Sequence, residues 1–255
     1  MKKRSVAAPP AGNRPLKTLE RVISKAGLGS RTEARRWVSE GRVKVNGKLV
    51  RNPDAWVDLE RDGILFDEKP LQKEKRVYLL LYKPTGYVTT HRDPDGRPTV
   101  YDLLDAKQSH LFSVGRLDLD TSGLLIITND AQFAERLTNP QYHVPKSYLV
   151  KASKFLTDEE LDQLRQGIVL KDGPTRPATV TRVREAGGKT VFEITITEGR
   201  NRQVRRMVEA LDAKVLKLVR IAIGGLRIGE LQIGKTRELT AEEVRGLMAS
   251  GEKKF

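Results

Sequence analysis

The chain has 255 residues, enough for one large domain or for a small domain beside a medium one. Its 47 Lys and Arg against 33 Asp and Glu give a formal net charge of +14, which points to a polyanionic partner, nucleic acid first, because phosphate neutralisation releases counterions. No run approaches the roughly 20 apolar residues of a spanning helix, Pro9 and Pro10 cut off any signal-peptide core, and zero Cys excludes disulfides and thiolate metal sites; a reducing cytoplasm is the expected home.

Residues 1–16 carry Lys2, Lys3, Arg4 and Arg14 without an acidic residue or an apolar period, so a disordered basic tail is expected. Leu19, Val22, Ile23 and Ala26 then repeat at helical spacing until Gly27 and Gly29. Ser30-Arg-Thr-Glu33 is a capping box for a second helix with Ala34, Trp37 and Val38 inward, Arg31, Arg35 and Arg36 outward, and Gly41 at its end. Asn46-Gly47, between two short alternating runs over 43–50, predicts a hairpin with a type I′ turn. Short strands should complete this module by residue 72, and the charged run 72–76 reads as a linker.

Beyond it, strands are expected at 77–82, 124–128, 148–152 and 191–197. Thr157-Asp-Glu-Glu160 and Thr240-Ala-Glu-Glu243 open helices. A further helix at 201–211 has Val204, Met207, Val208 and Leu211 on one stripe and Arg202, Arg205, Arg206 and Glu209 opposite, with Arg200 and Arg202 adding to the positive end of its dipole. The pattern predicts an α+β chain: a small N-terminal α/β module of two helices and short strands over 17–72, then a domain with a mostly antiparallel sheet over 76–255.

The densest chemistry lies in Gly115-Arg-Leu-Asp118-Leu-Asp120-Thr-Ser-Gly123, a polar turn directly before the apolar strand. Alternating oxygen side chains imitate half a calcium loop, but the twelfth position is Asn129 and an apolar strand precedes it. The residues alone leave open a structural turn, a metal-dependent nuclease using Asp118 and Asp120, and a catalytic carboxylate on a rigid edge. His91, His110 and His143 have no metal-ligand spacing. There is no phosphate loop of the Walker or dinucleotide kind and no nucleophile elbow.

The order Gly-Arg-Leu-Asp-x-x-Thr-Ser-Gly-Leu-Leu resembles the signature of RNA pseudouridine synthases, and Lys83-Pro-x-Gly86, Lys146-x-Tyr148-Leu-Val and Glu198-Gly-Arg-Asn-Arg-Gln-Val-Arg-Arg-Met207 fit the ribosomal branch of the RsuA/RluB type. Residues 19–50 resemble the RNA-binding module named after small-subunit ribosomal protein S-four. The resemblance implies Asp118 as catalytic residue, Arg205 as its ionic partner and Tyr148 as the side chain that stacks on the target base. It implies RNA contacts through Lys83, Arg92, Arg97, Arg116, Arg200 and Arg202, joined by Arg31, Arg35, Arg36 and Lys44 of the module, and no cofactor or metal. The implied activity is isomerisation of one uridine in ribosomal RNA, or in an assembly intermediate, by a monomer. The run 93–100 resembles large-subunit members. The alternatives are a small-subunit enzyme and a noncatalytic RNA-binding assembly protein.

Overall fold

The computed structural model describes residues 16–26, 28–58, 61–71, 75–104, 111–185 and 187–251. The basic tail (apart from Leu16), Gly27, residues 72–74 of the linker and His110 lie outside the described residues. The chain divides between Arg76 and Val77 into two compact units.

In the first unit β1 (Lys17–Thr18) leads into α1 (Leu19–Lys25) and α2 (Arg31–Glu40), followed by β2 (Val43–Val45), β3 (Lys48–Val50), β4 (Trp56–Val57), β5 (Ile64–Phe66) and β6 (Lys69–Pro70). The capping box of α2 forms: the Ser30 Oγ accepts from the Glu33 amide at 3.3 Å, and Glu33 accepts from the Ser30 amide at 2.9 Å. The hairpin turn has φ of 50° at Asn46 and 77° at Gly47, as a type I′ turn requires. Four strands run in the order β3-β2-β5-β6, and β1 pairs with β4. Leu19, Val22, Ile23, Ala34, Val38, Val43, Val57 and Ile64 form the core, each large side chain contributing roughly 1.5–3 kcal/mol over its exposed state.

The second unit contains β7 (Tyr78–Lys83), β8 (Phe112–Ser113), β9 (Ser122–Thr128), α3 (Ala131–Thr138), β10 (Lys146–Ala152) and α4 (Asp158–Gln166). There follow β11 (Val169–Leu170), β12 (Gly173–Pro174), β13 (Thr179–Glu185), β14 (Thr190–Ile196) and α5 (Gln203–Glu209). The last elements are β15 (Val215–Ile223), β16 (Leu226–Arg227), β17 (Thr236–Glu238) and α6 (Ala241–Ala249). The main sheet runs β13-β14-β10-β15-β9-β7-β17, with β8 on β9 and β16 on β15. The pairing of β15 with β9 is parallel and the others are antiparallel.

Every residue of β9 is buried because both faces of the sheet are covered here. Leu124 and Ile126 join Phe133 and Leu137 of α3 and Leu247 of α6 on one face. Leu125 and Ile127 join Leu79, Leu81 and Leu117 on the other, the alternation a strand imposes. Helix α3, not anticipated from the sequence, starts on Asp130, whose carboxylate accepts from the amides of Gln132 and Phe133. At Gly123 the strand meets β15 so closely that a Cβ would stand 2.2 Å from the Arg220 carbonyl oxygen, at a φ of +119°. Only glycine fits that crossing, which brings the loop before β9 against β15.

Candidate active site

The loop bearing Asp118 is held on several sides. From β7, the buried Lys83 sends its ammonium to the carbonyls of Pro84 (3.0 Å), Asp118 (3.0 Å) and Thr121 (2.8 Å). The Gly86 amide donates to the Leu119 carbonyl at 2.8 Å, and the Thr89 hydroxyl donates to that of Leu117 at 2.8 Å. Burial lowers the Lys83 pKa to about 8 although the charges of Asp118 and Asp120 pull it upward. Lys83, which the resemblance gives as an RNA contact, is thus a fully buried clip inside the protein, because it ends a strand covered on both faces.

The second clamp comes from the segment 198–207, folded on itself. The nearly buried Glu198 accepts from the Gln203 side chain at 2.5 Å and from the Arg176 amide at 3.1 Å, and lies 3.3 Å from Arg200. Gln203 in turn accepts from the Arg200 amide. This knot turns Arg202 into a left-handed conformation, with φ of 47°, and starts α5 directly after it.

Arg205 then projects from α5 against the Asp118 loop. Its Nη2 lies 3.1 Å from both the backbone carbonyl oxygen and the carboxylate of Asp120, and its Nη1 donates to the Val215 carbonyl. The family resemblance pairs Arg205 with Asp118, and the helical spacing sets it opposite the apolar stripe. Instead it is 7% exposed and holds Asp120, because that side of α5 faces the loop and not solvent. The cation nearest the Asp118 carboxylate is Arg202, at 3.5 Å, which also reaches Asp120 at 3.3 Å.

Asp118, with a side chain 36% exposed, opens into a cleft of about 280 Å³ whose lining includes Arg116, Tyr148, Lys146, Arg200, Arg202 and Arg220. Tyr148 stands on β10 opposite Arg220 of β15. Lys146, two residues before Tyr148 and so on the same face, donates to the Val144 carbonyl at 3.1 Å. Burial, with the Arg220 charge adding, lowers its pKa to about 8. Arg220 is 3% exposed, donates Nε to the Leu124 carbonyl at 2.8 Å and leaves Nη2 without a hydrogen-bond partner. Neither Lys146 as a site residue nor Arg220 was anticipated. The available signal was an arginine at an inward position of the apolar run 218–223, where an unpaired charge is costly.

The remaining basic residues divide by partner. Arg31, Arg92 and Arg116 are exposed. Arg36 is exposed 3.6 Å from Glu40, and Lys44 lies 2.6 Å from Glu68. Arg35 is committed to Glu20 at 2.6 Å and to both oxygens of Asp54, tying α1 to α2 within the first unit. Arg97 closes its own loop on Asp93 and Asp95. Arg200 donates to the carbonyls of Gly173 and Pro174, and Arg206 grips Asp172. Helix α5 has seven residues, and the Gln203 amide at its start donates to the Arg200 carbonyl. Among the described residues no group of acidic residues and histidines is arranged to hold a metal ion.

The RNA pseudouridylate synthase model matches residues 77–210, and the S4 domain model matches residues 18–59. An RNA pseudouridine synthase of Aquifex aeolicus (strain VF5) is 41% identical over 230 residues, 90% of this chain and 92% of the relative. The ribosomal large subunit pseudouridine synthase B of Bacillus subtilis (strain 168) is 40% identical over 236 residues, 92% of this chain and 96% of its own. A crystal structure of a pseudouridylate synthase superposes with a TM-score of 0.64 at 34% identity, covering 90% of this chain and 99% of that one. The chain belongs to the RNA pseudouridine synthases of the RsuA/RluB type and carries an S4 RNA-binding domain ahead of the catalytic fold. It is an enzyme of uridine isomerisation in RNA.

Proposed function

We propose that the substrate is large-subunit ribosomal RNA and that Asp118 is the carboxylate that acts on the target uridine. The observation that carries the assignment is the double clamp. Lys83 and Arg205 fix the backbone on both sides of Asp118 and Asp120 while Asp118 alone of the two carboxylates lines the cleft with Tyr148. A carboxylate so positioned reacts from one geometry, with its orientation set before the substrate arrives.

The target uridine leaves its stack at a cost of a few kcal/mol and finds a replacement stacking surface in Tyr148. Asp118 then either attacks C1′ or takes the C2′ proton to give a glycal; both routes break the N1–C1′ bond and neither needs a cofactor. The uracil turns and rejoins through C5. Large-subunit RNA is favoured by the relative of that name and by the run 93–100, whose Asp93 and Arg97 brace an exposed loop. Two measurements test the reading: tritium release from RNA labelled at uridine C5, and mapping of pseudouridines in both ribosomal RNAs of a strain lacking the protein. Loss confined to small-subunit RNA overturns the target assignment, and intact release by Asp118→Asn overturns the residue.

A further inference from the structure

The cleft holds two cations that its own chain does not neutralise. Among the described residues neither Lys146 nor Arg220 has a carboxylate within ion-pair distance, and Arg220 lies almost wholly out of water with one guanidinium nitrogen unpartnered. Exposed arginines elsewhere on the chain are solvated by water, but a buried cation without a counter-charge is costly unless an anion comes to it. Both line the cleft from neighbouring strands, Lys146 two residues before Tyr148 on β10 and Arg220 opposite Tyr148 on β15. The anion they serve therefore forms beside the stacking tyrosine, deep in the cleft, whereas the exposed Arg116 and the half-exposed Arg202 are the cations available to RNA phosphates at its mouth.

We propose that Arg220, seconded by Lys146, stabilises the uracil anion released when the glycosidic bond breaks. This rests on the assignment of Asp118 and the cleft as the reacting site. When the N1–C1′ bond breaks heterolytically its electron pair stays on N1 and spreads over O2 and O4. The sugar's deficit is met by the Asp118 oxygen, or by loss of the C2′ proton to it. Recombination forms the C5–C1′ bond as the Asp118–C1′ bond breaks or, on the glycal route, as Asp118 returns its proton to C2′; the C5 proton then departs while N1 regains one, so the net change is an isomerisation. No oxidant or other co-reactant enters. A fixed guanidinium in a water-poor site favours the charge that develops in the transition state over the neutral base of the ground state, which is the condition for raising turnover and not merely affinity.

The test compares two substrates of different leaving-group ability in single-turnover reactions of the full-length protein: the same RNA with uridine or with 5-fluorouridine at the target position. Fluorine withdraws electrons and stabilises the uracil anion without help from the protein. Disappearance of the N1-linked nucleoside and RNA affinity are both followed. Arg220→Gln should slow uridine by ~100-fold, in the range seen when one oxyanion donor is removed, with RNA affinity held within about threefold. On 5-fluorouridine its defect should shrink by about tenfold or more. Arg220→Lys should recover part of the uridine rate.

Equal slowing on both substrates, or an unchanged rate, overturns the proposal. So does a defect confined to RNA affinity and its salt dependence, which makes Arg220 a phosphate ligand. Should Arg220→Gln fail to fold by circular dichroism, Lys146→Gln carries the same comparison, with a smaller uridine defect and the same narrowing on 5-fluorouridine; equal defects there also overturn it. Asp118→Asn run in parallel separates the two assignments: if it keeps its rate the reacting site is wrong, whereas if it is dead and Arg220→Gln shows no substrate dependence only the role given to Arg220 is wrong.

Discussion

The two units use the same cationic side chains in opposite surroundings. In the N-terminal unit Arg31 and Arg36 stand in water, and the nearest acidic oxygen to Arg36 is Glu40 at 3.6 Å. In the catalytic unit Lys83, Arg205 and Arg220 are buried and spend their donors on carbonyl oxygens of the Asp118 loop, of β9 and of β15. A hydrated cation attracts any phosphate, exchanges it freely and loses its pull as salt rises. A desolvated one acts over a few ångströms with little screening, so its value lies in where it is fixed. On the proposed reading, affinity belongs to hydrated cations and chemistry to buried ones, so hydration matters more than residue type, and each substitution below pulls on one side of that division.

The largest effect is expected at Asp118. Asp118→Asn preserves shape and the carbonyl acceptors of the loop but removes the carboxylate proposed to react, so turnover should fall by more than ~10⁴-fold with RNA affinity unchanged. Asp120→Asn should cost far less, since Arg205 retains its bond to the Asp120 backbone carbonyl. Equal losses in tritium release from the two variants would mean that the carboxylates act as a pair, and that the clamp serves another purpose.

Next comes Lys83→Met, which strands three carbonyl acceptors around the loop. Turnover should drop by ~10²-fold and stability by about 1–3 kcal/mol, read from urea melts. The pH dependence has a definite sign. The Lys83 pKa is about 8 in the folded protein against an ordinary lysine value of 10.5, so between those values the unfolded chain binds more protons. Keeping Lys83 charged therefore subtracts from its hydrogen-bond contribution below about pH 8, and that penalty fades as pH rises towards 10.5. Lys146 shares the window, and subtracting the Lys83→Met melts isolates Lys83: the difference between wild type and variant should grow with pH there, and a flat difference refutes the burial argument.

Arg205→Leu and Arg202→Leu sharpen the division on neighbouring turns of one motif. Arg205 is buried against the Asp118 loop, whereas Arg202 keeps 44% of its side chain exposed over both carboxylates. The first should lower turnover by ~10²-fold at saturating RNA. The second should mainly raise the RNA concentration needed, with the defect greatest at low salt and shrinking as salt rises. Identical salt slopes and turnover rates in the two variants would reduce the segment to a generic basic patch.

What the sequence discloses follows the same line. Local patterns were readable wherever the relevant partner was near in the chain: the Ser30–Glu33, Thr157–Glu160 and Thr240–Glu243 capping boxes form, as does the Asn46-Gly47 turn. Helix α3 is weakly signalled because its mark is the single cap Asp130 at the end of a strand, and β15 because Lys217 and Arg220 interrupt its apolar run. The partner of Arg205 lies 85 residues away in sequence, and motif order brings segments together without saying which of two aspartates, two positions apart, meets the guanidinium. Lys83 and Arg220 share one difficulty: the sequence marks each as a cation but not its burial, which comes from the packing of β7, β9 and β15.

The smallest effect should come from the N-terminal unit. Arg31 and Arg36 lie on α2 with Arg35 between them, but Arg35 is spent on Glu20 and Asp54 and holds α1 to α2. Arg31→Ala with Arg36→Ala removes two hydrated charges and leaves that tie and the buried core of the unit in place, so melting should shift by no more than about 0.5 kcal/mol. RNA affinity should weaken, and the slope of log affinity against log salt should flatten by up to ~0.7–0.9 for each phosphate no longer neutralised. Turnover at saturating RNA should stay at the wild-type value, because nothing in the Asp118 clamp is touched. Arg35→Ala is the contrast: it should lower the melting transition of the unit as well as affinity, since it removes the donor that ties Glu20 to Asp54. If the exposed pair instead lowers turnover at saturation with an unchanged salt slope, the S4 domain is shaping the reacting RNA and not merely concentrating it, and the division between hydrated and buried cations does not coincide with the division between binding and chemistry.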